Sequence, residues 1–520
     1  MVEPGEPGEP GKPVSASAAT GAPSTQPSTA PVGAPPAGAP PAPPGVAAPA
    51  PVPAGADGGQ PQASGGFGLS TATALIIGSI IGVGIFNLPT SLASYGPISL
   101  VSMGLTTIGA LALAMLFAAL SRRLPADGGP YAYARVAYGN GVGFANAWSY
   151  WITAWAGNAA IAVGWVLYVE HFVNTGHKKI FTILLVLAGL WISAAINLSG
   201  AKNMGLIQVV TTILKFFAVG FVATVGLFYI SSANYTPFNV SGESTVNAIG
   251  GAMAIALFSY LGVETASVAA AKVRDPDRNV PRSTILGTLA TAVVYILSLV
   301  AVFGILPSKT LADSTEPFSA AANAMFGGTW AGDIMAILVI VSGIGALNGW
   351  TMICAEMPLA AANDGLFPDR FKQMSKAGVP AFGIISSTAL ASVAMLINYL
   401  GSGGASAFTT LVLMTGITSA IPYGYSALAQ IKWRWADHKA VHTPRLARDL
   451  IVAVVALVFS ILFIWYSRNS GHSVWVVWAP FFLAAAALLL GIPVYNKQRA
   501  HMTEPETVPP YPAELGKGAS

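Results

Sequence analysis

The sequence predicts an all-α polytopic membrane protein of about twelve transmembrane helices, and three observations carry that expectation. First, 54% of the 520 residues are hydrophobic and only 9% are charged, with a mean hydropathy of +0.62. A soluble domain carries roughly 25% charged residues, so this chain cannot cover a soluble surface. Second, from Leu69 onward apolar runs recur, each long enough for a hydrocarbon core of roughly 30 Å. Third, the basic residues alternate between the connections. Arg122, Arg123, Arg135, Arg274, Arg278 and Arg282 fall in one set of loops, as do Arg370, Lys432, Arg445 and Arg448. The opposite set has Lys178, Lys179, Lys309 and Arg468. By the positive-inside rule this places both termini in the cytoplasm and favours an even number of spans.

Residues 1–66 are rich in Pro, Ala, Gly and Ser. Such a segment buries too little apolar surface to offset its ordering entropy, so a disordered cytoplasmic tail is expected. It contains no apolar run of signal-peptide type. The transmembrane domain is expected over 67–495. Its spans read as 69–94, 97–120, 141–172, 179–199, 203–231, 246–271, 283–306, 332–361, 380–399, 405–430, 449–467 and 474–495. The third and eighth are long enough to tilt or project beyond the membrane. The polar residues 496–520 read as a loose cytoplasmic C-terminal tail. Cys354 is the single cysteine, so an internal disulfide is impossible. The six histidines, His171, His177 and His472 among them, lack ligand spacing and read as loop or interface residues. With basic residues confined to short loops, no nucleic-acid partner is expected. No metal cluster, Walker loop or nucleophile–base constellation is visible, so neither a cofactor nor enzymatic catalysis is expected.

The first span carries Gly78, Gly82 and Gly84 within Gly78-Ser-Ile-Ile-Gly-Val-Gly-Ile-Phe-Asn-Leu-Pro89. Gly78 and Gly82 could form a small-residue face for helix packing. They could equally mark a break, which lipid tolerates only where the loosened backbone lines a cavity. A second glycine-rich segment, Phe258-Ser-Tyr-Leu-Gly-Val-Glu264, lies in the sixth span. Breaks five spans apart are the pattern of inverted halves sharing a midplane site.

With Gly82-Val-Gly-Ile-Phe-Asn-Leu-Pro89, the chain also contains Gly128-Gly-Pro-Tyr-Ala-Tyr-Ala-Arg135 and Gly262-Val-Glu-Thr-Ala-Ser-Val-Ala-Ala270. Asp275-Pro-Asp-Arg-Asn-Val-Pro281 and Ala362-Asn-Asp-Gly-Leu-Phe-Pro368 follow in order. On these motifs residues 70–495 resemble the amino acid–polyamine–organocation (APC) permeases. They are most similar to the basic amino acid and polyamine antiporter branch, with its arginine–agmatine and putrescine–ornithine exchangers. The resemblance implies a LeuT-like five-plus-five inverted repeat, discontinuous first and sixth helices, and two appended helices. It implies a multi-pass protein of the plasma (inner) membrane, and relatives often form homodimers.

The resemblance also assigns residues. Ile80, Gly82, Val83 and Gly84 in the first span, with Phe258 and Leu261 in the sixth, would bind the substrate's carboxylate and ammonium. Freed amides at a helix start suit the former and freed carbonyls the latter. Asn158, Trp350 and Thr415 match positions that meet the distal end of the substrate. Asn158 could also serve as a helix-to-helix hydrogen bond. A cation packs favourably on an indole face such as Trp350. Relatives carry a glutamate at Glu264 that takes part in gating and charge coupling, with Tyr150 and Tyr423 as partners. Val83 stands where the family often has a small polar residue, and Phe258 where the antiporters have tryptophan. Lys215 is a second charge inside an apolar span, with no role assigned and room to snorkel. The charged segment 275–281 reads as a capped loop.

The expected function is a secondary active amino acid permease working by alternating access. It would exchange its substrates or couple their transport to protons, with a preference for cationic amino acids or polyamines. A broad neutral amino acid–proton symporter and a transporter-like substrate-sensing receptor are the alternatives.

Overall fold

The computed structural model describes residues 68–507 apart from 125–127, 175, 177, 269–272, 402–403, 440–442, 469–473 and 506. The expected tail over 1–66, the terminal residues 508–520, His177 and His472 lie outside them. Every regular element described is helical. Among the described residues eleven helices are long and apolar enough to cross a membrane. The expected sixth span is the exception. It is a shorter apolar segment, Thr245–Tyr260, followed by an irregular turn.

The first span is two helices, α1 (Leu69–Ile80) and α2 (Val83–Ala93). It is followed by α3 (Ser99–Arg123) and by a short α4 (Pro130–Tyr138), which the sequence reading did not foresee. Pro130 begins α4, where a missing amide costs nothing because the first helical amides have no partner anyway. Next come α5 (Asn140–Val173), α6 (Lys179–Leu198) and α7 (Ala201–Val225). The interrupted sixth segment comprises α8 (Thr245–Ala256), a 3₁₀ turn at Leu257–Tyr260, and α9 (Thr265–Val268).

The second half runs through α10 (Pro276–Ile305), the small α11 (Ser308–Asp313) and α12 (Pro317–Phe326), then α13 (Trp330–Asn363). It continues with α14 (Ala381–Gly401), α15 (Gly404–Ala436), α16 (Thr443–Tyr466), α17 (Val474–Leu489) and α18 (Gly491–Gln498). The segment 275–281 is the start of α10 and not a capped loop. Asp275 sits at the cap with φ +49° and its side chain makes no capping bond.

Burial separates an inner set of helices from an outer one. The apolar window of α5 is 94% buried and that of the last span 17%. The 34-residue α5 and α13, expected to be long, extend to about 50 Å at 1.5 Å per residue. The 33-residue α15 was expected to stop near 430 and continues to Ala436. Its polar end is held there: Lys432 donates to the Ala137 carbonyl, and Arg434 pairs with Asp449 at 2.8 Å.

The C-terminal segment is not loose at its start. Arg135 donates to the Thr503 carbonyl and hydroxyl, both at 2.8 Å, and pairs with Asp364 at 2.7 Å. The Thr503 amide donates to the Asp364 carbonyl at 3.2 Å. With the bond from Arg135 Nε to Asn140 Oδ1 at 2.9 Å, these contacts satisfy a buried guanidinium, and the docked strap supplies part of the set.

Candidate functional site

Two chain breaks form the site, and they touch. α1 stops at Ile80 and α2 starts at Val83, with Gly82 extended between them. Gly262 has φ +109°, a conformation open to glycine and strained for other residues. A Cβ on Gly262 would lie 3.0 Å from the Ser79 carbonyl carbon, so the second break rests directly on the first.

A break frees carbonyls that lipid cannot satisfy. Here three successive carbonyls are each taken by a different helix. Lys215 of α7 donates Nζ to the Gly78 oxygen at 2.6 Å. Trp350 of α13 donates Nε1 to Ser79 O at 3.3 Å, and Tyr295 of α10 donates its hydroxyl to Ile80 O at 2.8 Å. Lys215 is fully buried and therefore does not snorkel to an interface. Lys215 and Tyr295 were not picked out as site residues from the sequence, although each is a polar group inside an apolar span, which was the available signal. Gly78 meets the other glycine reading. Its added Cβ would lie 2.4 Å from Thr212 Oγ1, so it lets α1 press on α7.

Beside the breaks is a cavity of about 10 Å³, room for roughly one water. Of the expected contacts, Ile80, Gly82, Gly84, Phe258, Leu261 and Trp350 line it, together with Ser79, Gly157, Ile161 and Ser259, which were not foreseen. The start of α2 has no side-chain cap, leaving its first amides and positive helix end available to an anion. Phe258 lies over Gly84, with Cδ1 2.9 Å from where a Cβ would be, and meets Phe408 edge-on at 5.9 Å.

Three expected contacts do not line this cavity. Val83 turns its side chain toward Gly164 of α5 and Gly343 of α13, 3.2 and 2.9 Å from their added Cβ positions. Thr415 donates its hydroxyl back to Val412 O at 2.6 Å, as hydroxyls in apolar helices commonly do. Asn158 donates Nδ2 to Thr351 Oγ1 at 2.9 Å, the helix-to-helix bond left open above. Its Oδ1 is buried with no hydrogen-bond partner.

Next to the second break, the fully buried Glu264 accepts from Tyr150 at 2.6 Å and from Tyr423 at 2.7 Å. The three expected gating residues are thus brought together, linking the turn before α9 to α5 and α15. A carboxylate accepts both hydroxyls, whereas a protonated carboxyl must reverse one bond or lose it. The end of α9 is tied to the approach of α4, through Gly128 N to Val268 O at 3.2 Å. Among the described residues no three His, Cys, Asp or Glu side chains form a metal-ion site.

Comparison with known proteins follows the same lines. The cadaverine/lysine antiporter of Escherichia coli K12 is 29% identical over 371 residues, spanning 70% of this chain and 83% of that protein. The putrescine transporter PotE of Haemophilus influenzae is 32% identical over 400 residues, spanning 76% and 90%. A crystal structure of the Eremococcus coleocola manganese transporter superposes with a TM-score of 0.53 at 12% identity, covering 83% of this chain and 94% of the other. At that identity the likeness concerns the fold alone. The amino acid permease family profile matches residues 67–492, nearly the whole helical region built around the two breaks. The chain is therefore a multi-pass membrane transporter belonging to the amino acid permease family of the APC group.

Proposed function

We propose that this permease is a secondary active transporter that exchanges cationic amino acids and polyamines by alternating access. The observation carrying the reading is the joining of Ile80, Gly82, Gly84, Phe258, Leu261 and Trp350 around one cavity between two broken helices. The α2 amides receive the substrate carboxylate, and the Gly78 and Ser79 carbonyls of the break, each with a second lone pair, receive the ammonium. The Trp350 indole faces a distal cation, and the Asn158 oxygen offers an acceptor one layer further out. The cavity is too small for an amino acid, so substrate entry displaces Phe258, which lies across Gly84 in its wall. Glu264 with Tyr150 and Tyr423 forms the gate and carries the coupling charge.

The proposal includes the inverted five-plus-five repeat, with residues 67–495 as the transporter domain of an inner-membrane protein. Both termini, 1–66 and 496–520, face the cytoplasm, and a homodimer is its expected assembly. One observation favours a second reading, proton-coupled symport of neutral amino acids: the residues lining the cavity include no acidic side chain to pair with a distal cation.

Proteoliposomes separate the two. Exchange requires efflux of loaded lysine, arginine or cadaverine to drive uptake of labelled substrate. Uptake of neutral amino acids into substrate-free vesicles under a pH gradient selects the symporter. Saturable binding with no flux overturns both in favour of a sensor.

A further inference from the structure

Away from the broken helices, a second cavity of about 150 Å³ opens between α3, α10, α15 and α16. Arg122, Arg448, Asp449 and Gln430 contribute its polar wall. It lies at one end of the bundle, where α3 and α15 finish and α10 and α16 begin. Arg282 and Arg445 stand close enough to Arg122 to act on its charge. The carboxylate present is already shared. Asp449 pairs with Arg434 at 2.8 Å and with Arg448 at 2.9 Å. The guanidinium groups of Arg122, Arg434 and Arg448 therefore gather around one buried aspartate. Arg122 and Arg448 face the cavity, and guanidinium forks match phosphate oxygens in pairs.

The surroundings decide which phosphate fits. Helical spacing puts Leu286 one turn beyond Arg282, and Ile451 and Val455 one and two turns beyond Arg448. Met115 stands two turns before Arg122 on α3. All four are exposed apolar side chains, Leu286 at 50% and Ile451 at 63%. Each arginine thus continues along its own helix face into an apolar strip, the combination of a charged head and hydrocarbon tails.

We propose that this cavity binds an anionic phospholipid, its phosphate held by Arg122 and Arg448 and its acyl chains lying along Met115, Leu286, Ile451 and Val455. Basic pockets between helices near a membrane surface recognise such headgroups. The site is separate from the substrate cavity and stands whether or not the exchange reading holds.

Native mass spectrometry of the full chain in detergent tests it, with phosphatidylglycerol against phosphatidylcholine of the same acyl chains. Phosphatidylglycerol should be retained roughly tenfold more strongly. The Arg122→Gln/Arg448→Gln double variant should lose that preference. Ala119→Phe, which fills the cavity without changing charge, should lose it too, and it decides the matter if the double variant does not remain monodisperse. Arg370→Gln, on a separate loop, should keep it. Equal retention of both lipids, or a preference unchanged by Ala119→Phe, overturns the proposal. Displacement of phosphatidylglycerol by millimolar inorganic phosphate would assign the site to a soluble anion and overturn the lipid.

Discussion

Lys215 donates its side-chain nitrogen to the carbonyl of Gly78 at 2.6 Å, which fixes α7 to the first helix at its break. The carbonyl is one that an unbroken helix would have used internally. Replacing Lys215 with Met keeps the packing and leaves that oxygen unpaired, a penalty of about 1–3 kcal/mol. Part of this is offset because no buried amine remains to be desolvated. We expect Lys215→Met to change melting temperature little while lowering substrate flux at least tenfold, because α1 loses its anchor. Flux within twofold of the parent would show that the bond is dispensable.

Glu264 is held by two phenols from two different helices, so a change in its protonation would reverse or break one of those bonds. Glu264→Gln removes the titration while keeping similar volume, and the pH dependence of flux should flatten. Tyr150→Phe and Tyr423→Phe should each reduce flux, and the pair should be non-additive by roughly 0.5–3 kcal/mol, as for residues sharing one partner. An unchanged pH profile in Glu264→Gln would remove it as the coupling group.

Glycines at a break and inside an unbroken helix make opposite demands. Gly262 combines φ +109° with a 3.0 Å approach to Ser79, so Gly262→Ala is both strained and obstructed. Backbone strain of this kind costs on the order of 1–3 kcal/mol, and flux should be lost. Gly104, inside α3 with nothing within 4 Å of its added Cβ, is the contrast. There Gly→Ala should stabilise by up to about 1 kcal/mol through helix propensity and leave flux unchanged. Thermal melts and vesicle uptake on both variants check the pair.

Much of this was legible before any coordinates, for identifiable reasons. Span positions follow from apolar length, and the breaks from glycines where lipid forbids loose backbone. Glu264 was legible because intramembrane charge is rare, and the family resemblance supplied Tyr150 and Tyr423. The resemblance assigned Val83 through its backbone and Thr415 through its hydroxyl, but which way a side chain turns is set by neighbours. Gly164 and Gly343 provide the room that Val83 occupies, and Thr415 bonds its own helix. The carbonyl partners Lys215, Trp350 and Tyr295 come from three helices remote in sequence. No local pattern announces that convergence. The nine-residue α4 helix and the docked Thr503 strap escaped for a similar reason, since segments this short have too few turns for a period to be read.

Phe258 is where specificity can be moved with one substitution. Its ring lies across Gly84 and meets Phe408, so it closes the cavity by packing and offers a modest cation-binding face. Indole binds a cation more strongly than phenyl does, and the contact as a whole is worth about 0.5–1 kcal/mol at exposed sites and about 2 kcal/mol or more when water is excluded. The Phe258 edge already sits 2.9 Å from where a Gly84 Cβ would be, so a ring at 258 fits only while position 84 carries no side chain. Phe258→Trp should therefore raise the preference for arginine or cadaverine over leucine by roughly three- to tenfold, measured by competition against labelled substrate. Adding Gly84→Ala should abolish the gain, since the Cβ takes the room on which the indole depends. A preference unmoved by Phe258→Trp, in a variant that still transports, would mean the ring does not contact the distal end of the substrate.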